Sequence, residues 1–133
     1  MEPLFLLLEE VLAIHLQQIE RYGGHGGIRD RAALESAIAV PLTTFEGRLL
    51  HEGIPAIAAA YLFHICQNHP FIDGNKRVGA NAAITFLFMN DWEPDWEEDE
   101  LAELVLSVAS GQISKSELTR DFEQHCHPAK AAL

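Results

Sequence analysis

The sequence predicts an all-α fold, a compact bundle of about six helices with little or no strand. Three observations carry this expectation. Residues 3–22 repeat apolar side chains at helical spacing, with Leu4, Leu8, Val11, Leu12, His15 and Ile19 near one side. Two helix-length stretches, 54–68 and 74–90, are apolar nearly all round, a pattern that needs covering on every side and marks the buried centre of a bundle. Glycines and prolines punctuate the chain between these segments, at Gly23-Gly24, Pro41, Pro70, Pro94 and Gly111.

In order, the first helix ends at Gly23-Gly24. The loop Gly23–Arg29 is glycine-rich and holds His25; with no strand before it and no Walker spacing, it reads as a helix-to-helix turn rather than a phosphate cradle. Asp30 is placed to cap a second helix that runs to about Ala39, before Pro41. A turn-rich linker follows, with Thr43-Thr44-Phe45-Glu46-Gly47; an aromatic on such a loop suits recognition better than solubility. The third helix starts with Pro55 at its first turn and stops near Asn68 or His69, because Pro70 disfavours the α conformation in the residue before it. The fourth runs from Gly74 to about Asn90, and Asp91–Trp96 is a turn. Helices at about 97–110 and 115–126 complete the set, the last opened by Ser114 and Glu117 at capping-box spacing. Residues 1–133 form one domain by length, with the core over about 3–126 and the tail 127–133 frayed.

Composition excludes several classes of function. Nine Lys+Arg against twenty Asp+Glu give a net charge of −11, which disfavours direct nucleic-acid binding. No apolar run reaches the roughly 20 residues that span a bilayer, and no basic region precedes the early leucines as in a signal peptide. Cys66 and Cys126 have no disulfide-framework spacing, so a reducing, cytoplasmic setting is the simplest reading. His125-Cys126-His127 lacks metal-site spacing, since adjacent side chains point in different directions. His15 reads as a hydrogen-bonded core or interface histidine rather than a catalytic one.

Chemistry is concentrated between His69 and Asn81. One imidazole, one carboxylate, two amides and two cations surround Gly74 where the fourth helix begins. The first N–H groups of a helix have no intrahelical partner and carry the positive end of its dipole, so a phosphate docks well beside Gly74, Asn75, Lys76 and Arg77. Asp73, Arg77 and Asn81 are four apart, which puts them on one side of the helix within reach of one ligand. A histidine such as His69 is the side chain suited to take a proton from a hydroxyl, and Asp73 is a hard oxygen ligand of the kind that holds Mg²⁺ beside phosphates. Taken singly, each of these residues is more often structural: a cap, a satisfied amide, a solvated charge. Their density at one helix start is what points to phosphate handling.

The run His69-Pro70-Phe71-Ile72-Asp73-Gly74-Asn75-Lys76-Arg77 resembles the signature of the Fic/Doc superfamily, His-x-Phe-x-Asp/Glu-Gly/Ala-Asn-Gly/Lys-Arg. Lys76, where Fic adenylyltransferases typically carry glycine, Ala80, where they often carry a second arginine, and Asn81 are similar to the Doc (death on curing) branch. The stretch Gly27–Ile38 resembles that family's second conserved block, so the likeness covers about residues 8 to 120.

That resemblance implies a toxin that is a protein kinase. ATP with Mg²⁺ would bind at Gly74, Asn75, Lys76, Arg77 and Asn81, with the catalytic pair being Asp73, aiding the metal and the substrate hydroxyl, and His69 as base. The γ-phosphate would go to a Ser or Thr hydroxyl of elongation factor Tu, held by a flap before the third helix that includes Thr43, Thr44 and Phe45. An inhibitory Ser/Thr-x-x-x-Glu-Gly/Asn segment is missing, because Leu42 and Arg48 stand where the hydroxyl residue would be; restraint would come from a separate antitoxin chain. Two competing readings are a Fic-type adenylyltransferase, told apart by the group transferred, and a silent binding module, which would bind ATP without transfer.

Overall fold

Helices α3 (Ile54–Asn68) and α4 (Asn75–Met89) form the centre of a computed structural model that describes residues 2–130. Tyr61, Leu62 and Ile65 of α3 and Val78, Ala82, Phe86 and Leu87 of α4 have no exposed surface. Removing one such large side chain from water contributes about 1.5–3 kcal/mol. The two axes come close because Gly79 faces α3: a Cβ there would lie 3.1 Å from Leu62 Cδ1 and 3.3 Å from Cys66 Sγ. Around this pair stand α1 (Leu8–Tyr22) against α4, α2 (Arg31–Ala39) and α6 (Lys115–His125) against α3, and α5 (Glu98–Ala109) against both. The six expected helices are thus present, and among the described residues no helix is long and apolar enough to cross a membrane.

Caps behave as the sequence predicts. Asp30 Oδ1 accepts from Ala33 N–H (3.0 Å), and Ser114 and Glu117 exchange backbone-to-side-chain bonds at 3.1 Å. Between a 3₁₀ turn at Val40–Leu42 and α3, the linker folds into a hairpin of β1 (Thr44–Phe45) and β2 (Arg48–Leu49). Glu46 and Gly47 both have positive φ (51° and 78°), the backbone of a two-residue turn that matches strand twist.

Three boundaries differ from expectation. The first helix starts at Leu8, not at residue 3, and Leu4 is exposed rather than on the apolar side. Residues before it lie extended because their backbone finds better partners: Leu4 N–H donates to Asn90 Oδ1 (2.7 Å), Asn90 Nδ2 returns to the Leu4 carbonyl, and Leu6 N–H donates to Tyr61 Oη. The turn at 91–96 contains a strand, β3 (Trp92–Pro94), paired antiparallel with β4 (Cys126–Pro128). Residues 127 and 128 are therefore paired, not frayed; Ala129 N–H also donates to the Asp91 carbonyl, while residues 131–133 of that expected tail lie outside the described part. His125 Nδ1 and His127 Nε2 both donate to the Asp95 carboxylate at 2.7 Å, so these histidines fasten the chain end, and no metal-holding cluster occurs among the described residues.

Candidate active site

The loop from α3 to α4 is fixed along its whole length. Arg29 donates through Nε to the His69 carbonyl and through Nη2 to the Asn68 carbonyl (2.9 Å), placing a cation on the negative end of α3. Asn68 Nδ2 donates to the Ala33 carbonyl (2.9 Å) and ties the same end to α2. His69 is left-handed (φ 47°, ψ 55°), so α3 stops before Pro70 as expected, but by chain reversal instead of the extended conformation a proline usually imposes. A side-chain-bearing residue costs about 1–2 kcal/mol there, and the surrounding bonds hold it.

Beyond His69 the loop runs beside the glycine segment. Arg29 and Asp30 N–H reach the Pro70 carbonyl (2.7 and 3.0 Å), and Ile72 N–H reaches that of Gly27 (3.1 Å). Side chains at the glycines would collide with the site: a Cβ on Gly27 would stand 2.8 Å from Ile72 Cδ1, and one on Gly24 3.1 Å from Asp73 Cβ. The segment read as a plain turn is therefore also a clamp. Underneath, Phe71 is fully buried and stacked on His15 at 3.8 Å, and His15 Nε2 donates to the Asp73 carbonyl (3.1 Å). Burial holds the His15 pKa below the ordinary value, so the ring stays a neutral support.

Asn75 opens α4 after Gly74, whose φ of 85° suits glycine. Its side chain is nearly buried and used inside the loop: Oδ1 accepts from Phe71 N–H (2.9 Å), Nδ2 donates to the Phe71 carbonyl (2.8 Å) and stands 3.1 Å from His69 Nδ1. What Asn75 offers an anion is its backbone N–H. Val78 is the first residue of α4 bonded back to the Gly74 carbonyl (2.9 Å), which leaves the N–H groups before it without helical acceptors.

His69, Asp73, Gly74, Asn75, Lys76 and Arg77 line one cavity of about 550 Å³, floored by Cys66, whose thiol burial pushes up to about 11 and keeps protonated. Asn81 does not line it. It lies in an adjoining hollow of about 320 Å³ that shares Lys76 and Arg77 with the first, and its Nδ2 donates to the Arg77 carbonyl (2.8 Å). Helical spacing placed Asp73, Arg77 and Asn81 on one side, but one small ligand in the first cavity meets only the first two. Arg77 is oriented by Tyr22, its guanidinium carbon 4.3 Å from the ring centroid.

Among the described residues Asp73 is the only carboxylate lining the cavity, and its Oδ2 accepts from His25 N–H at 2.6 Å. One carboxylate with a second oxygen to spare fits Mg²⁺ shared with phosphates better than an all-protein cage. Thr43, Thr44 and Phe45 line no part of this cavity; Phe45 is 68% exposed on the hairpin, against a separate hollow with Arg48 and Leu50. Arg29, Asn68 and the His15–Phe71 stack are the supports sequence reasoning did not assign. For Arg29 a signal existed, its place in the Gly27–Ile38 stretch that carries the family resemblance.

Known proteins resemble the chain along the same stretch. The profile described as the Fic/DOC family matches residues 5–87. "Protein kinase doc" of Escherichia phage P1 is 35% identical over 111 residues, covering 81% of this chain and 84% of that protein. "Toxin Doc" of Mycolicibacterium smegmatis is 35% identical over 91 residues, 67% of this chain and 70% of that one. With the signature loop, its clamp and these matches in agreement, the chain belongs to the Fic/DOC family.

Proposed function

We propose that this chain is the toxin of a toxin–antitoxin module and acts as a protein kinase, moving the γ-phosphate of ATP to a Ser or Thr hydroxyl of a translation factor, elongation factor Tu by family likeness. One observation carries the reading: the His69 ring and the open start of α4, with Lys76 and Arg77, share one cavity. Helix N–H groups and two cations there would take the charge that spreads over the transferring phosphoryl group. Asp73 would hold Mg²⁺, which would supply charge neutralisation to the phosphates when bound. Asn81, in the adjoining hollow, would meet a more distant part of the nucleotide.

In the transfer, the hydroxyl oxygen forms a bond to the γ-phosphorus while the bond from that phosphorus to the ADP oxygen breaks. The hydroxyl proton passes to His69. The Thr44–Leu49 hairpin, with Phe45 exposed, would align the target backbone beside the cavity. An antitoxin chain would restrain the enzyme in the cytoplasm, and expression of the chain alone should arrest growth.

The test is incubation of wild type and His69→Ala with γ-labelled and, separately, α-labelled ATP and the target. Label from the γ position only, lost at least about 10²-fold in the variant with the fold intact, supports the reading. Label from the α position would make the chain an adenylyltransferase, and an unchanged rate in His69→Ala would remove the base.

A further inference from the structure

We infer that Asn75 is a positioning residue that holds the resting, neutral His69 in the tautomer protonated at Nε2, so that the base is parked rather than ready. The orientation of the Asn75 amide is not free. Phe71 presents both an N–H and a carbonyl to it, at 2.9 Å to Oδ1 and 2.8 Å to Nδ2. Turning the amide over would set oxygen against oxygen and N–H against N–H at both contacts, in a residue only 6% exposed. The amide therefore keeps Nδ2 toward His69, and its second N–H, the one not spent on Phe71, meets Nδ1 at 3.1 Å.

An N–H facing a ring nitrogen requires a lone pair on that nitrogen. A proton on Nδ1 would set two donors against each other; turning the ring over would put a carbon there and leave a nearly buried N–H without an acceptor. Neither alternative has a compensating contact. Arg29 and the left-handed backbone at His69 fix where the ring starts, and the bond to Asn75 is what orients it. The neutral ring thus has its lone pair on Nδ1 and its proton on Nε2, the nitrogen left for the cavity that His69 lines.

The consequence rests on the proposed role of His69 as proton acceptor. In this tautomer Nε2 is a donor, suited to a phosphate oxygen. To accept a hydroxyl proton there, the ring must first release its Nε2 proton to water and take one from water at Nδ1, giving up the Asn75 hydrogen bond. One ordinary hydrogen bond supports a tautomer ratio of about tenfold. Asn75 thereby sets how much of the enzyme is base-competent at any moment.

The test uses nitrogen-labelled free protein without nucleotide, read by long-range proton–nitrogen correlation spectra above the titration range of the ring. The His69 signals are those missing in His69→Ala. The expected result is a proton on Nε2 in at least about tenfold excess over Nδ1. Asn75→Asp puts a carboxylate oxygen toward Nδ1 and should invert the ratio. A proton on Nδ1, or comparable amounts of both tautomers in wild type, overturns the inference, as does a folded Asn75→Asp protein with an unchanged ratio. If that variant does not fold, the wild-type ratio alone decides. Because no substrate is present, failure of phosphate transfer leaves the ratio standing, and a wrong ratio leaves the transfer standing.

Discussion

Arg29→Met separates holding the site together from taking part in it. The guanidinium makes the two bonds that join the glycine segment to the end of α3, one to each of the Asn68 and His69 carbonyls. Sheltered bonds from a charged donor contribute about 1.5–3 kcal/mol each. Arg29 is exposed, and screening there brings the pair to about 1–2 kcal/mol in total. Methionine keeps the length and apolar stem and removes the fork. The backbone bonds from residues 29 and 30 to Pro70 remain, so the fold survives and the melting temperature drops by about 3–8 °C. Phosphate transfer should fall further than stability, by about 10²-fold, because a base displaced by about 1 Å loses that much. Thermal unfolding followed by circular dichroism and the initial rate of γ-label transfer read the two effects. A variant with the melting point and rate of wild type would show that backbone pairing alone fixes His69, and would refute the reasoning.

Two more outcomes follow from packing and burial. Burial, then the charges of Lys115 and His51, push His64 down to about 4, and burial with the Lys115 charge also lowers His51. Unfolding lets these rings bind protons; for half-buried His64 the contribution is whole above about pH 6.5, is lost as pH falls toward about 4, and is about 1–2 kcal/mol after screening. Urea midpoints of wild type and His64→Gln between pH 7.5 and 4.5 check this, and a pH-independent difference between them would sink it. Gly79→Val drives two methyls into Leu62 and Cys66, where a Cβ alone already comes within 3.1 Å, and should cost about 2–4 kcal/mol by urea unfolding; a loss under about 0.5 kcal/mol would mean that α3 and α4 do not meet closely there.

Local rules made the helices legible. Asp30, Ser114 with Glu117, and Pro55 act within a turn of where they stand, so each reads the same in the sequence and in the fold. The place of the site loop was legible for the same reason, since its open N–H groups come from one helix start. What was not legible depends on partners far along the chain. Nothing near Leu4 announces Asn90, and the strand at 92–94 exists only because 126–128 arrives beside it. Asn75 read as a phosphate ligand by its position, yet its amide is spent on Phe71 and His69. Asn81 differs in another way: helical spacing gave its side of the helix but not that it lines an adjoining hollow that shares Lys76 and Arg77 with the first.

Two distant stretches of polypeptide converge on the far end of α4. Leu4 is moored to the Asn90 side chain, and Ala129 to the Asp91 carbonyl next to it. With 15 residues between its two ends, α4 sets that mooring about 22 Å from the helix start that faces the cavity. Chain that continues from the moored residues 4 and 129 therefore starts at the end of α4 away from the cavity. A reporter or affinity handle at either place should spare the chemistry, while force applied between the two would load Asn90 and Asp91 before it reaches His69.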